Sequence, residues 1–331
     1  MKKFEDVIGH EQVIEHMQTA IQKDRISHAY ILNGEIGSGK KMLADIFAAT
    51  LQCEEHGITP CGKCKSCLQA SSGNHPDILK VTHEKASISV DDIRTQLNAD
   101  IDIKPYSSKY KIYIIDEADK MTEQAQNALL KTIEEPPVYG IIMLLVTNKN
   151  KLLPTILSRC VTLNLKPVPT DLITEYLMKE YQVPDYNAQI SARFSQGNLG
   201  KAVRYSTSEE FNETKDKILH LLKYIENMQV YEILEGIKQL GEHKLEIYDY
   251  IDIMMLWYRD ILVYKASGNP NHLLFRAEYP YIKKQAEKIG YDGIENVIKA
   301  MDKAKERLRA NVNFDIAMEL MLLVMKENGN G

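Results

Sequence analysis

No stretch of the 331 residues approaches the roughly 20 consecutive apolar residues needed to cross a bilayer. The opening MKKFEDVIGHEQ turns acidic and polar within a few residues and lacks the apolar core of a secretory signal. These two absences make a cytoplasmic protein without a membrane partner the expectation. Basic excess is missing too: 41 Lys and Arg against 46 Asp and Glu leave a net charge of −5. A protein that holds nucleic acid on its own generally shows a basic patch or a high pI, so affinity for DNA would have to come mostly from partners. There is one tryptophan, no repeat and no low-complexity tract. Cysteine is scarce but not scattered. Cys53, Cys61, Cys64 and Cys67 lie close together and Cys160 stands far away. In a reducing compartment that clustering favours metal binding over disulfides.

What is present divides the chain in two. AYILNG (29–34), KIYIID (111–116) and IIMLLVT (141–147) are short, almost wholly apolar runs, the signature of parallel strands covered on both faces. Between them, KKMLADIFAATL repeats apolar residues at Met42, Leu43, Ile46, Phe47 and Leu51 with a helical period. TEQAQNALLKTIEE does the same, with Thr122 as its N-cap and Pro136-Pro137 as its stop. Strand and helix in alternation predict a parallel α/β sheet. After KPVPT (166–170) the strand-like runs cease and helical periodicity becomes nearly continuous, with a break at QGNLG. The chain is long enough for two or three domains.

CEEHGITPCGKCKSC spaces its cysteines as C-x7-C-x2-C-x2-C. Four thiolates at such spacings suit a closed, tetrahedral, structural zinc site and leave no position for a catalytic water. Cys53, Cys61, Cys64 and Cys67 are the expected ligands. His56 and His75 flank the cluster and read as surface residues rather than ligands. Cys160 reads as a buried apolar-like residue. Lys63 and Lys65 supply charge, but no aromatic lies between the cysteines, which argues against a nucleic-acid-binding knuckle.

GEIGSGKK (34–41) is nearly a phosphate loop. Gly34, Gly39 and Lys40 fit G-x-x-x-x-G-K, but Lys41 stands where a Ser or Thr would ligate magnesium. Backbone amides from Gly34 to Lys40 can cradle an anion at the start of the next helix. An ammonium at position 41 repels the metal. Asp116 and Glu117 directly follow a buried strand, the place of the metal-binding acid and the water-orienting group in phosphate-loop proteins. Arg159, in TILSRC (155–160), is expected at an exposed corner, paired with a surface carboxylate or reaching a neighbouring subunit.

SHAYILNGEIGSGKK, the four-cysteine insertion, NALLKTIEEPP and LPTILSRC together resemble bacterial clamp-loader subunits of the AAA+ class. The resemblance spans essentially the whole chain. It implies a RecA-like AAA+ domain over 1–166 carrying a zinc module at about 52–70, a small helical lid over 167–207, and an all-α collar domain over 208–331. It implies a hetero-pentamer with the tau/gamma and delta subunits of DNA polymerase III, which opens the sliding clamp and places it on primed DNA. In RLRANVNFDIAMEL (307–320), the collar segment by this resemblance, Leu308, Val312, Phe314, Ile316 and Met318 are assigned mostly to the core. The degenerate nucleotide set that the resemblance implies is Gly34, Gly37, Gly39, Lys40, Lys41, Asp116, Glu117 and Asn148, a remnant site for ATP, ADP or phosphate.

Three departures from the hydrolysing tau/gamma type stand out. Lys41 replaces its Thr, Gly200 in GNLGKAV falls where its sensor arginine contacts the γ-phosphate, and the long C-terminal extension of the tau form is not seen. Arg159 is retained. Losing groups that serve the chain's own site while keeping one that serves a neighbour's is the delta prime pattern, and it implies a non-hydrolysing stator with an arginine finger. Two other readings stay open at this point. One is a tau/gamma-type ATPase using Lys40, Asp116 and Glu117, and the other is a zinc-ribbon nucleic-acid binder.

Overall fold

The computed structural model describes residues 2–241 and 247–329. Met1, at the start of the expected first domain, and 242–246 and 330–331, in the expected collar, lie outside the described residues. The chain forms two compact units, Met1–Tyr176 with Gln196–Lys201, and Leu177–Ser195 with Ala202–Gly331.

The first unit opens with α1 (Glu11–Gln22) and continues with β1 (Ala29–Asn33), α2 (Lys40–Leu51) and α3 (Lys65–Ser71). Then come β2 (Ile78–Val81), a turn of helix α4 (Val90–Ile93) running into a π-helical segment (Arg94–Asn98), β3 (Lys111–Ile115) and α5 (Glu123–Glu134). It closes with β4 (Gly140–Val146), α6 (Pro154–Leu157), β5 (Val161–Asn164) and the start of α7 (Thr170–Tyr181). All strand pairings are parallel, in the order β2-β3-β4-β1-β5.

Strand alternation explains the apolar runs. Tyr30 and Leu32, Ile112 and Ile114, and Ile141, Met143 and Leu145 face one cluster with Leu43 and Phe47 of α2. Ile31, Tyr113 and Ile115, and Ile142, Leu144 and Val146 face the other with Leu129 of α5 and Ile156 of α6. A strand buried on both faces has no polar position to spare, so it reads as continuous hydrophobicity. Thr122 caps α5, its Oγ1 accepting from the Ala125 amide at 3.2 Å. This is the parallel α/β architecture that the sequence implies for a RecA-like AAA+ domain, with the cysteine segment inserted between α2 and β2.

The second unit is helical throughout its described residues. It holds α8 (Asp185–Phe194), most of α9 (Leu199–Thr207), α10 (Glu209–Tyr224), α11 (Val230–Gly241), α12 (Ile247–Ser267), α13 (Tyr279–Lys288), α14 (Tyr291–Arg309) and α15 (Phe314–Gly329). One cluster joins Phe211, Leu222, Trp257, Ile282, Val297, Met301, Met318 and Met321. The fully buried Trp257 donates its indole N–H to Gln285 at 2.8 Å, and Gln285 donates to the Leu222 carbonyl at 2.7 Å. Of the stripe at 308–318, Met318 is buried and Leu308 and Phe314 pack against the core. Val312 and Ile316 are exposed, because α14 ends at Arg309 and the helical period restarts at Phe314. Among the described residues no helix is long and apolar enough to cross a membrane.

Candidate nucleotide and metal sites

Strand β1 delivers the chain into the glycine loop at the C-terminal edge of the sheet, and α2 begins directly after it at Lys40. Gly37 and Gly39 adopt φ of 86° and 94°, conformations that cost a side-chain-bearing residue steric strain. The loop thereby makes its turn directly before the N-terminus of α2, the place where phosphate-binding loops hold their anion. The Ser38 hydroxyl is buried there without a partner, which fits an anion in the cradle.

The charged groups are committed elsewhere. Lys40 is almost fully buried, and its ammonium donates to the loop's own carbonyls, Gly34 at 2.6 Å and Glu35 at 2.7 Å. Burial lowers its pKa, against the pull of Asp116, Asp119 and Glu35. Lys41 points at Asp116, 3.7 Å from Oδ2, so the acid at the end of β3 is faced by the loop's own cation. Glu117 has left-handed backbone (φ 51°). Its carboxylate meets Lys120 at 2.8 Å and His83 at 3.6 Å. Asn148 is exposed and accepts from the Asn150 amide at 3.0 Å, capping a short turn.

Several residues the sequence did not single out complete the site. Asp119 accepts from the Thr147 amide at 3.2 Å and hydroxyl at 2.7 Å, tying the end of β3 to the end of β4. Burial pushes its carboxyl up, but the bonds from Thr147 and the nearby Lys151 outweigh this and hold it below the ordinary range. His10 reaches the Ser38 carbonyl at 3.0 Å. Since a carbonyl only accepts, that ring nitrogen carries the proton.

Most consequential is the segment 196–201, which packs on the loop within the same unit. Buried Asn198 donates to the Ile36 carbonyl at 2.7 Å and to Glu35 Oε2 at 3.3 Å. The Gly200 amide donates to the Gly37 carbonyl at 3.0 Å. A Cβ on Gly200 would lie 2.8 Å from both Gly37 Cα and its oxygen, so with the loop in this position a side chain at 200 does not fit. The sequence signals for this contact are the pair of glycines, 163 residues apart, and the place of Gly200 at the position of the family's sensor arginine.

Arg159 follows α6 and is partly exposed. Its guanidinium is 3.0 Å from Glu134 of α5 and donates to the Thr155 carbonyl at 3.0 Å. The neighbouring Cys160 packs against the core, and burial pushes its thiol up to about 12.

The four clustered cysteines form no disulfide. Their sulfurs lie within 4.8 Å of one another, and Cys61 and Cys67 are separated by 3.9 Å. A tetrahedron with metal–sulfur bonds of about 2.3 Å has edges of about 3.8 Å, so the set fits a metal ion. Three amides aim at the sulfurs: Cys61 at Cys53 (3.4 Å), Cys64 at Cys61 (3.3 Å) and Cys67 at Cys64 (3.4 Å). Amides of Lys63 and Cys64 lower the Cys61 thiol to about 7, whereas burial pushes the Cys53 and Cys67 thiols up, so without a cation Cys61 is the readiest of these three to ionise. His56 is exposed, as expected. His75 is not the surface residue the sequence suggests: it is 4% exposed and bonded to Ser66 and to the Asp77 amide, a polar side chain drawn inside because both ring nitrogens find partners.

Comparison with known proteins places the chain in a family. Residues 9–169 match the family model described as DNA polymerase III, delta subunit. The DNA polymerase III subunit delta' of Bacillus subtilis (strain 168) is 33% identical over 319 residues, covering 96% of each chain. The subunit tau of the same organism is 28% identical over 331 residues, covering 93% of this chain and 58% of its own. A gamma subunit-related protein from Thermotoga maritima, of known structure, covers 96% of this chain and 99% of its own at 20% identity and a TM-score of 0.48. At a third of positions identical over nearly the full length of both proteins, the chain belongs to the family of the DNA polymerase III delta' subunit, a clamp-loader subunit.

Proposed function

We propose that this chain is the stator of the DNA polymerase III clamp loader. On this reading it does not hydrolyse ATP itself, and it supplies Arg159 as a finger to the ATP site of an adjoining tau/gamma-type subunit. It acts with tau/gamma and delta subunits in a hetero-pentamer that places the sliding clamp on primer-template DNA, in the cytoplasm. Residues 167–207 serve as the lid and 208–331 as the collar. The observation that carries the reading is the Lys41–Asp116 pair at 3.7 Å. A magnesium ion beside Asp116 would face an ammonium from the loop that should have helped to bind it. Asn198 and Gly200 reinforce the reading by bonding to the loop carbonyls at Ile36 and Gly37. If nucleotide or phosphate does enter, the loop amides and Ser38 would hold it, and Lys40 would neutralise its charge only on leaving the Gly34 and Glu35 carbonyls.

In the finger role, Arg159 exchanges its Glu134 carboxylate for a phosphoryl group of the neighbour. Its delocalised, always-charged guanidinium suits that exchange. Such a finger contributes about 10³ to 10⁵ in rate. Arg159→Ala in the assembled complex is expected to leave assembly intact, by size-exclusion chromatography, and to cut DNA-stimulated ATPase strongly. An unchanged rate would remove the finger role. The four cysteines hold a structural zinc ion, which contributes local folding energy and no catalysis.

The competing reading is an intrinsic ATPase of the tau/gamma type, favoured by the retention of Lys40, Asp116 and Glu117. Turnover by the isolated chain, abolished by Glu117→Gln, would establish it.

A further inference from the structure

The cysteine module is poor in the usual sources of order. Helix α3 packs on α2, but no residue between 53 and 71 belongs to either hydrophobic cluster of its unit, so ligation is the expected source of much of its order. Yet two residues beside the ligands reach out of it. Ser66, next to Cys67, lies 3.0 Å from His75 Nε2. Because His75 Nδ1 accepts from the Asp77 amide at 3.1 Å, Nε2 is the protonated nitrogen of the neutral ring and donates to the serine hydroxyl. Asp77 then carries the connection onward. Its Oδ1 accepts from the Tyr106 amide at 2.6 Å, and its Oδ2 accepts from the Ser107 amide at 2.9 Å and hydroxyl at 3.2 Å. Ser66, His75 and Asp77 are 6%, 4% and 1% exposed. Gln52, next to Cys53, makes a second link, donating to the carbonyls of Tyr110 at 2.6 Å and Asp77 at 3.3 Å.

The receiving segment, 103–110, has no helix or strand of its own and turns Ile103 and Tyr106 outward, Tyr106 at 88% exposure. Besides the Gln52–Tyr110 link, its flanks are held by groups outside the module. Lys111 donates to the carbonyls of Asp100 and Ile103, and Lys109 pairs with Asp24 at 2.7 Å. The middle of the segment, at Tyr106 and Ser107, is the part tied to Asp77.

We infer that the metal module acts as a strut: metal ligation at Cys53, Cys61, Cys64 and Cys67 fixes the exposed loop at Tyr106 and Ser107 through Ser66, His75 and Asp77. The inference rests on the structural-metal reading above and gives that metal a task outside its own module. A buried polar chain suits the task because each member, if displaced, leaves another unpaired in a dry environment. The chain therefore moves as a unit or not at all.

The test is amide hydrogen exchange, read by mass spectrometry on the full chain, with zinc bound and after chelation. Residues 104–110 are the reporter and β4 is the internal control. Chelation is expected to speed exchange at Tyr106 and Ser107 at least tenfold while β4 stays unchanged. In Ser66→Ala, which keeps all four ligands and one zinc per chain by metal analysis, the same amides should already exchange faster with the metal in place. Exchange at 106–107 within twofold of the zinc-bound value after chelation would overturn the strut. If chelation also loosens β4, the zinc-bound Ser66→Ala protein decides: loop exchange equal to wild type overturns the inference. A chain that takes up no zinc fails the metal reading itself, whereas one that takes it up with an indifferent loop fails the strut alone.

Discussion

The ammonium of Lys41 stands 3.7 Å from the Asp116 carboxylate, joining the first residues of α2 to the end of β3. Both side chains are about half exposed or more, so the pair adds little to stability, on the order of 0–1 kcal/mol. Its weight is electrostatic and local, since it cancels the carboxylate on which a divalent cation would depend. Lys41→Thr is therefore expected to leave the thermal midpoint within about 2 °C. It should also strengthen magnesium-dependent ATP binding at least tenfold, measured by titration calorimetry with and without magnesium. If magnesium gives no added affinity in the variant, Lys41 is not the block.

Gly200 and Gly37 touch backbone to backbone. A Cβ at 200 would lie 2.8 Å from two Gly37 backbone atoms, and backbone has no rotamer by which to retreat. Gly200→Ala should push the segment 196–201 off the phosphate loop, at an overpacking cost of about 1–3 kcal/mol. Urea denaturation measures the cost, on the transition that far-UV circular dichroism detects and the fluorescence of Trp257, in the second unit, does not. A variant as stable as wild type would mean that the two segments separate freely.

The strands and the chemical motifs were legible in the sequence because each rests on local pattern. Strands β1, β3 and β4 are buried on both faces, so burial alone writes an apolar run. The glycine loop, the cysteine spacing and the Thr122 cap are fixed by residues a few positions apart. What was not legible depends on partners far along the chain. Asn198 finds Ile36, Arg159 finds Glu134 and Asp119 finds Thr147, each pairing a polar residue with one that no periodicity links to it. His75 illustrates the same limit. A histidine beside a cysteine cluster looks superficial until Ser66 and Asp77 are brought to its two nitrogens.

Acid should loosen the phosphate loop through His10. Burial lowers its folded pKa below the ordinary value near 6.5, against the opposing pull of the Ser38 carbonyl and Glu11. Between that lowered value and about 6.5 the unfolded chain holds a proton that the folded chain does not, so stability rises with pH across this window and is level above it for this group. His75, lowered by its own burial, adds a slope of the same sign. His10→Asn, chosen because asparagine tolerates the left-handed backbone at this position (φ 63°), should make the dependence shallower without abolishing it. Urea denaturation from pH 5 to pH 7.5 provides the comparison, and an unchanged slope would exclude His10 as a contributor.

Trp257 gives the second unit its own reporter, since the chain has one tryptophan and it is fully buried in that unit's core. Its fluorescence should follow the unfolding of the second unit alone, whereas circular dichroism follows both. Among the described residues the indole N–H is satisfied through Gln285, which in turn bonds the Leu222 carbonyl. Gln285→Leu keeps the volume roughly constant but leaves a donor and an acceptor unpaired in the core, at about 1–3 kcal/mol for each. The fluorescence-detected midpoint should therefore fall, while the Lys41–Asp116 region of the first unit keeps its hydrogen exchange. A fluorescence midpoint equal to wild type would mean that water reaches the indole in the native state and that the Trp257–Gln285 bond does not hold the helical unit together.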